Sequence, residues 1–287
     1  FFHGIHGITA ILLSWPAAVS ATDGSVCICS RIMDNRIMRV QFIGVGEAFD
    51  ETLANNSQLL MWPDCRLLID CGYAVPHSFW KLHPDPNLLD TVYISHAHAD
   101  HYFGLPSCIV RMAEDGRRRD LEVLCPQGLK ATVVEMIELA YPGLMPKLPF
   151  LTTFREVEPG VSIPYRGAVL EFAPSAHPVK NFAIAVTVSG KKYAYSGDGS
   201  FTEQTRRLYS NCRLLVHEAY EFETEKFGHA CIANLLRMAE EQKVQVLALT
   251  HLQRTLRKTR AQEIREFAAK SAVKVMIPEV GDVVEVE

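Results

Sequence analysis

Residues 91–106 read TVYISHAHADHYFGLP, in which the apolar run Thr91–Ser95 leads straight into His96-Ala97-His98-Ala99-Asp100-His101. The run has the length and aliphatic character of a buried strand. In an extended chain alternate side chains share a face, so His96, His98 and Asp100 are expected to converge, with His101 joining them where the chain turns. Neutral imidazole and carboxylate are the donors that borderline divalent cations such as zinc accept. A solitary histidine in such a place is more often structural. Four donors packed into residues 96–101, at the junction of a strand and a loop, read instead as a metal site.

Strand and helix signals alternate on both sides of this stretch. Runs rich in β-branched and aliphatic residues, bounded by Gly, Pro, Asp or Asn, predict strands over Arg39–Ile43, Gln58–Met61, Arg66–Ile69, Leu121–Leu124, Ala168–Phe172, Phe182–Val188, Lys192–Tyr195, Arg213–Val216, Val244–Leu249, Val273–Ile277 and Val283–Val286. Ser189-Gly190 joins two of them as a tight hairpin. Helices are predicted where apolar residues recur every three or four positions: Leu129, Val133, Met136 and Ala140; Ile232, Leu235, Leu236 and Ala239; Ile264, Phe267 and Ala268. Ser200-x-x-Glu203 has the form of a capping box. The expected architecture is α/β, two packed sheets covered outside by helices, and residues 38–287 are expected to form a single domain.

Composition narrows the functional classes. A 48% apolar share supports a large core, and a formal charge of −4 gives no global attraction to nucleic acid or to anionic membranes. Any polyanion must be held by local bases or by a bound metal. Arg117-Arg118-Arg119 reads as an exposed, solvated triplet. Arg254, Arg257, Lys258 and Arg260 either steer a phosphate or form a solvated helix face. The eight cysteines include no CxxC pair and read as reduced thiols of a cytoplasmic protein, although Cys27-x-Cys29 has the form of half a metal site. Residues 1–37 are expected to be an extension outside the fold, since Met38 opens a strand. The apolar segment 8–21 has the form of a signal-peptide core but no preceding Lys or Arg, which leaves secretion as the lesser reading. It is also too short, and too interrupted by Pro16, to span a bilayer.

The run ISHAHADHYFGLP resembles the HxHxDH motif of the metallo-β-lactamase superfamily. Further stretches continue the likeness in order: LLIDCG with Asp70, SAHPVKN with His177, YSGDGS with Asp198 and LALTHLQR with His251. The resemblance covers roughly residues 38–260 and implies an αββα sandwich of two mixed sheets flanked by helices. It also implies a dinuclear metal site, with zinc expected and manganese or iron as alternatives. His96, His98 and His177 would hold one metal, Asp100, His101 and His251 the other, and Asp198 would bridge them. Asp70 would buttress the ligand loop. Taken singly, His177, Asp198 and His251 could be ordinary loop residues; together and in order they carry weight.

Two more stretches narrow the branch. LLVHEAY ends with His217-Glu218, and FGHA places His229 at the start of a helix, resembling the HEAT motif and following histidine of tRNase Z and related phosphodiesterases. There the glutamate orients a histidine near the leaving group, and a carboxylate that raises an imidazole's pKa makes it a usable acid near neutral pH. The resemblance thus implies a phosphodiesterase in which a hydroxide shared by the two metals attacks phosphorus. Asp100 would orient it, and Glu218 and His229 would serve the leaving oxygen. The plainer reading makes Glu218 a surface cap and His229 a helix start, and His217 is as well explained by structure.

The sequence also departs from tRNase Z. That family carries a long arm that clamps tRNA, whereas only 20 residues separate His177 from Asp198. Its basic N-terminal loop is replaced by AFDETLANN, and the HEAT threonine is Tyr220. The expected substrate is therefore a phosphodiester, either a small molecule or an RNA 3′ end, with no membrane partner and a homodimer by analogy. The competing readings are hydrolysis of a carbon ester, thioester or lactam by the same ligands, and a non-catalytic relative that keeps only the fold.

Overall fold

The computed structural model describes residues 37–287. The apolar segment 8–21 and the Cys27-x-Cys29 pair lie outside the described residues. The first sheet begins with an antiparallel meander, β1 (Met38–Gly44), β2 (Ser57–Trp62) and β3 (Cys65–Ile69), and continues in parallel through β4 (Thr91–Tyr93), β5 (Leu121–Pro126) and β6 (Thr152–Val157). The second opens with a short hairpin strand, β7 (Ile163–Tyr165), and then repeats the pattern. Strands β8 (Ala168–Pro174), β9 (Phe182–Val188) and β10 (Lys191–Tyr195) are antiparallel, and β11 (Leu214–Glu218), β12 (Val246–Thr250) and β13 (Lys274–Met276) follow in parallel. Strand β14 (Val283–Val286) returns to the first sheet beside β1. Both sheets are therefore mixed, as the sequence leads one to expect.

Burial explains the layering. Met38, Val40, Phe42, Leu60, Leu67, Ile69, Ile184, Val186, Tyr193 and Val216 point between the sheets and are essentially inaccessible. The opposite faces are just as apolar, so each must be covered. On the first sheet this is done by α1 (Val75–Leu82) and α3 (Leu105–Glu114), with the single turn α2 (Ala99–Tyr102) between them and α4 (Lys130–Ala140) after. On the second it is done by α5 (Glu203–Tyr209), α6 (Ile232–Glu241) and α7 (Arg254–Ala268). The predicted hairpin is present, with Ser189 at φ 48° and Gly190 at φ 78°, both in the left-handed region that such a two-residue turn requires.

Three expectations need correction. The α5 capping box is centred on Thr202 and closed by Thr205, not built from Ser200 and Glu203, because the chain stays extended two residues further. Asp100 does not continue the strand alternation: it lies with His101 in the turn α2, where the chain has already coiled. Arg117 is not on a solvated loop. It is fully buried and donates to the carbonyls of Pro86 (2.8 Å), Leu89 (2.7 Å) and Asp120 (2.7 Å), knitting together three loop carbonyls.

Candidate metal centre and its acid–base edge

Parallel strands deliver their carboxyl ends to one edge of a sheet, and here both sheets deliver theirs to the same cleft. Asp70 follows β3, residues 96–101 follow β4, His177 follows β8, Asp198 follows β10, Glu218 ends β11 and His251 follows β12. The structure brings all seven predicted donors together, in two sets that share Asp198. In each set, His96, His98, His177 and Asp198 or Asp100, His101, Asp198 and His251, the donor atoms lie within 4.8 Å of one another.

Hydrogen bonds around the cluster fix which nitrogen His96, His101 and His177 offer. Asp70, fully buried, accepts from Ser95 N (2.7 Å), Ser95 Oγ (2.8 Å), Tyr195 Oη (2.8 Å) and His101 Nδ1 (2.7 Å). His101 Nδ1 is thereby committed as a donor, so Nε2 is the nitrogen offered to the cluster. Because Ser95 Oγ donates to Asp70, it can only accept from His96 Nδ1, 3.0 Å away, so His96 Nε2 is also bare. His177 Nδ1 donates to the Gly228 carbonyl at 2.8 Å, with the same result. His98 points Nδ1 at His96 Nε2 (3.2 Å) and at His177 Nε2 (3.1 Å), so three imidazole nitrogens face one point. Gly72 makes the approach possible: a Cβ there would sit 1.9 Å from the Asp100 carbonyl oxygen.

The second set is built around carboxylates. Asp100 Oδ2 lies 3.2 Å from His101 Nε2 and 3.4 Å from His251 Nε2. Asp198 reaches His101 Nε2 (3.4 Å), His251 Nε2 (3.5 Å) and His96 Nε2 (4.0 Å). His101 Nε2 and Asp198 Oδ1 are buried without a hydrogen bond among the described residues, an arrangement that is costly unless a cation sits between such atoms. Burial drives His96 well below the ordinary imidazole value, helped by the charge of His101, and burial likewise lowers His98 and His177. His101 and His251 move the other way: burial opposes charge on them, but Asp198 and Asp100 outweigh it, holding His101 high and His251 at about 9. Neutral nitrogens on one side and paired carboxylates on the other suit two divalent cations, so the residues present fit the implied metals.

Beside the cluster lies the predicted acid–base pair. Glu218 is fully buried; its Oε1 accepts from Gly199 N (2.9 Å), Ala230 N (3.0 Å) and His229 Nδ1 (3.1 Å), and its Oε2 accepts from Tyr220 N (2.9 Å). Burial works against protonation of His229, but Glu218 overcomes it and raises the imidazole above its usual value. The His229 ring is 5.6 Å from that of His177 and 6.0 Å from that of His251, centroid to centroid. His217 is turned away, its Nδ1 donating to the Glu218 carbonyl at 2.7 Å. Sequence reasoning assigned nothing to Tyr220, whose ring stacks on His229 at 4.5 Å and 25°. Its one visible signal was the departure from threonine.

The basic residues after His251 are not free. Arg254 pairs with Glu47 at 2.7 Å, Arg257 with Asp50 at 2.6 Å, Lys258 with Glu51, and Arg260 with Glu263 at 2.6 Å and Glu223 at 3.6 Å. The two acids of AFDETLANN, Asp50 and Glu51, thus answer Arg257 and Lys258 of α7.

Comparison with known proteins agrees with this arrangement. The sequence model of the family described as "Anti-Pycsar protein Apyc1" matches residues 38–273. The ribonuclease Z of Ignicoccus hospitalis is 26% identical over 268 residues, covering 73% of this chain and 88% of that protein. Among solved structures, the metallo-β-lactamase fold protein YhfI of Bacillus subtilis superposes with a TM-score of 0.72 at 24% identity, over 87% of this chain and 99% of that one. Human tRNase Z, short form, does so with 0.71 at 20% identity, over 87% and 99%. The fold is that of the metallo-β-lactamases.

Proposed function

Because the chain belongs to the Anti-Pycsar protein Apyc1 family, we propose that it is a metal-dependent hydrolase of phosphodiesters that works on small substrates. The observation that carries this reading is the Glu218–His229 pair at the edge of the seven-donor cluster, a proton donor held beside a place for cations. Two divalent cations bound there, zinc by the donor set with manganese or iron as alternatives, would supply Lewis acidity toward phosphoryl oxygens and a water nucleophile active near neutral pH. Ribonuclease Z relatives and the tRNase Z neighbour support the phosphodiester as the bond cleaved.

The chain's own residues divide the remaining work. Asp100 accepts a hydrogen bond from the attacking water and fixes its direction. Glu218 keeps a proton on Nδ1 of His229, so that the doubly protonated imidazole has Nε2–H to give. As the bond from phosphorus to the leaving oxygen breaks, that proton passes to the oxygen and His229 is left neutral. A thioester expels a thiolate, which departs without a proton, and so has no need of such a pair.

Two features favour a small phosphodiester over pre-tRNA. The segment between His177 and Asp198 is used up by β9, β10 and their tight turn, leaving no arm to grip a polynucleotide. Arg254, Arg257 and Lys258, the bases that follow His251, are paired with Glu47, Asp50 and Glu51. We take residues 38–287 as the catalytic domain and residues 1–37 as an appendage. Phe103, Leu139 and Tyr141, all exposed, offer an apolar face for the expected homodimer, which light scattering would read. No described helix is long and apolar enough to cross a membrane. Buried free thiols at Cys65, Cys71, Cys108, Cys125, Cys212 and Cys231 suit the cytoplasm.

Metal analysis of the purified protein, paired with turnover of bis-p-nitrophenyl phosphate, a thioester, a chromogenic lactam and a pre-tRNA transcript, tests the proposal. Two equivalents of metal and phosphodiester turnover alone are expected. A preference for the thioester or lactam would overturn the bond assignment, and efficient pre-tRNA cleavage would overturn the size assignment.

A further inference from the structure

We propose that Tyr220 is the positioning residue for His229, its ring face holding the imidazole where Nε2 can meet the leaving oxygen. The inference rests on the reading of His229 as the proton donor. Among the described residues the His229 ring makes one hydrogen bond, Nδ1 to Glu218 at 3.1 Å, and a single bond leaves a ring free to pivot about that contact. Tyr220 removes the pivot by lying nearly parallel to the imidazole at 4.5 Å and 25°. Its centroid is also 6.0 Å from that of His251, and His229 to His251 is again 6.0 Å, so the three rings form a compact triangle and not a sandwich. The tyrosine is itself fixed: its backbone N donates to Glu218 Oε2 (2.9 Å) and its carbonyl accepts from Gln253 N (3.3 Å). One carboxylate therefore sets both the imidazole and the residue that covers it. Lys226 Nζ, 5.8 Å from the Tyr220 centroid, adds a cation to the aromatic surface.

A set of aryl methyl phosphates running from p-nitrophenol to phenol as leaving group separates this role from a merely structural one. With a proton donor in place, kcat depends weakly on the leaving group; without one, the slope steepens. Tyr220→Ala is expected to steepen it, losing roughly tenfold on the phenol ester and less than about threefold on the p-nitrophenol ester, with metal content unchanged. Tyr220→Phe is expected to restore the shallow slope, while Tyr220→Leu, apolar but not planar, is not. His229→Ala provides the reference. If His229→Ala steepens the slope and Tyr220→Ala and Tyr220→Leu do not, the positioning role is refuted while the acid stands. If His229→Ala leaves the slope of the wild type, the acid reading itself is wrong.

Discussion

Replacing Asp70 by asparagine changes one atom in a fully buried side chain and should reverse a proton nearly a cluster-width away. Asp70 sits at φ 59°, a left-handed conformation that asparagine tolerates well, so the backbone has no reason to move. The amide oxygen can still accept from Ser95 N, now made at 2.7 Å. The amide NH2, however, faces Ser95 Oγ, Tyr195 Oη and His101 Nδ1, all of which now donate to Asp70 Oδ2. The two hydroxyls can turn and accept. His101 can accept only by giving up its Nδ1 proton, and the neutral ring then carries hydrogen on Nε2, the atom aimed at the second donor set. Leaving one buried group badly paired costs about 1–3 kcal/mol, a modest part of a total stability of about 5–15 kcal/mol, so the variant should fold. The loss of the bare Nε2 should weaken metal binding by about 10- to 100-fold, the usual effect of removing such a support. Equilibrium dialysis against a graded chelator, with metal measured in the protein fraction and circular dichroism to confirm folding, reads both quantities. A folded Asp70→Asn protein with wild-type metal affinity would refute the tautomer argument.

Asp198→Ala removes the only donor common to both sets and should strip metal and activity together; Glu218→Gln should keep the metal and lower kcat by about 10- to 100-fold on poor leaving groups. Arg117→Met should lower Tm by about 5–10 °C at unchanged kcat, because the carbonyls of Pro86, Leu89 and Asp120 lose their donor. For Asp50, burial would raise the carboxyl, but hydrogen bonds from Thr52, Arg257 and Leu53 prevail and hold it below 3.8 when folded. Its stabilising effect is therefore complete above the unfolded value and fades as pH falls through the lower folded one. Asp50→Asn should accordingly lower Tm at pH 7, and the gap should narrow as melts are run below about pH 3.9.

Much of this was legible in the chain because ligands and strands share a signal. Thr91–Ser95 had to be a strand, and a strand that ends in His-x-His-x-Asp-His announces its use. His177, Asp198 and His251 were readable only through their order, since nothing local distinguishes a loop histidine that meets a cluster from one that meets water. Elements without an apolar signature were missed. Strand β6 is an edge strand whose exposed positions dilute its pattern, and β7 is a three-residue piece containing Pro164. Helices α1 and α3 are short and carry Pro76 and Pro106 at their second positions, which read as breaks although proline in a first turn costs no hydrogen bond. Arg117 looked like surface because three adjacent arginines usually are; only the carbonyls of a distant loop decided otherwise. Tyr220 gave no signal beyond its departure from threonine, because its stacking depends on where the end of β11 meets the loop that carries His229.

The donors are divided between the sheets, four from the first and three from the second, and no contiguous piece of the chain owns a complete set. Occupancy thus acts as a rivet through a seam. Cations that grip only the assembled cleft add stability in proportion to the logarithm of their concentration, and withdrawing them loosens the join before it loosens either leaf. During synthesis the leading leaf emerges with four of its claws already in place and must wait for β12 to bring the last.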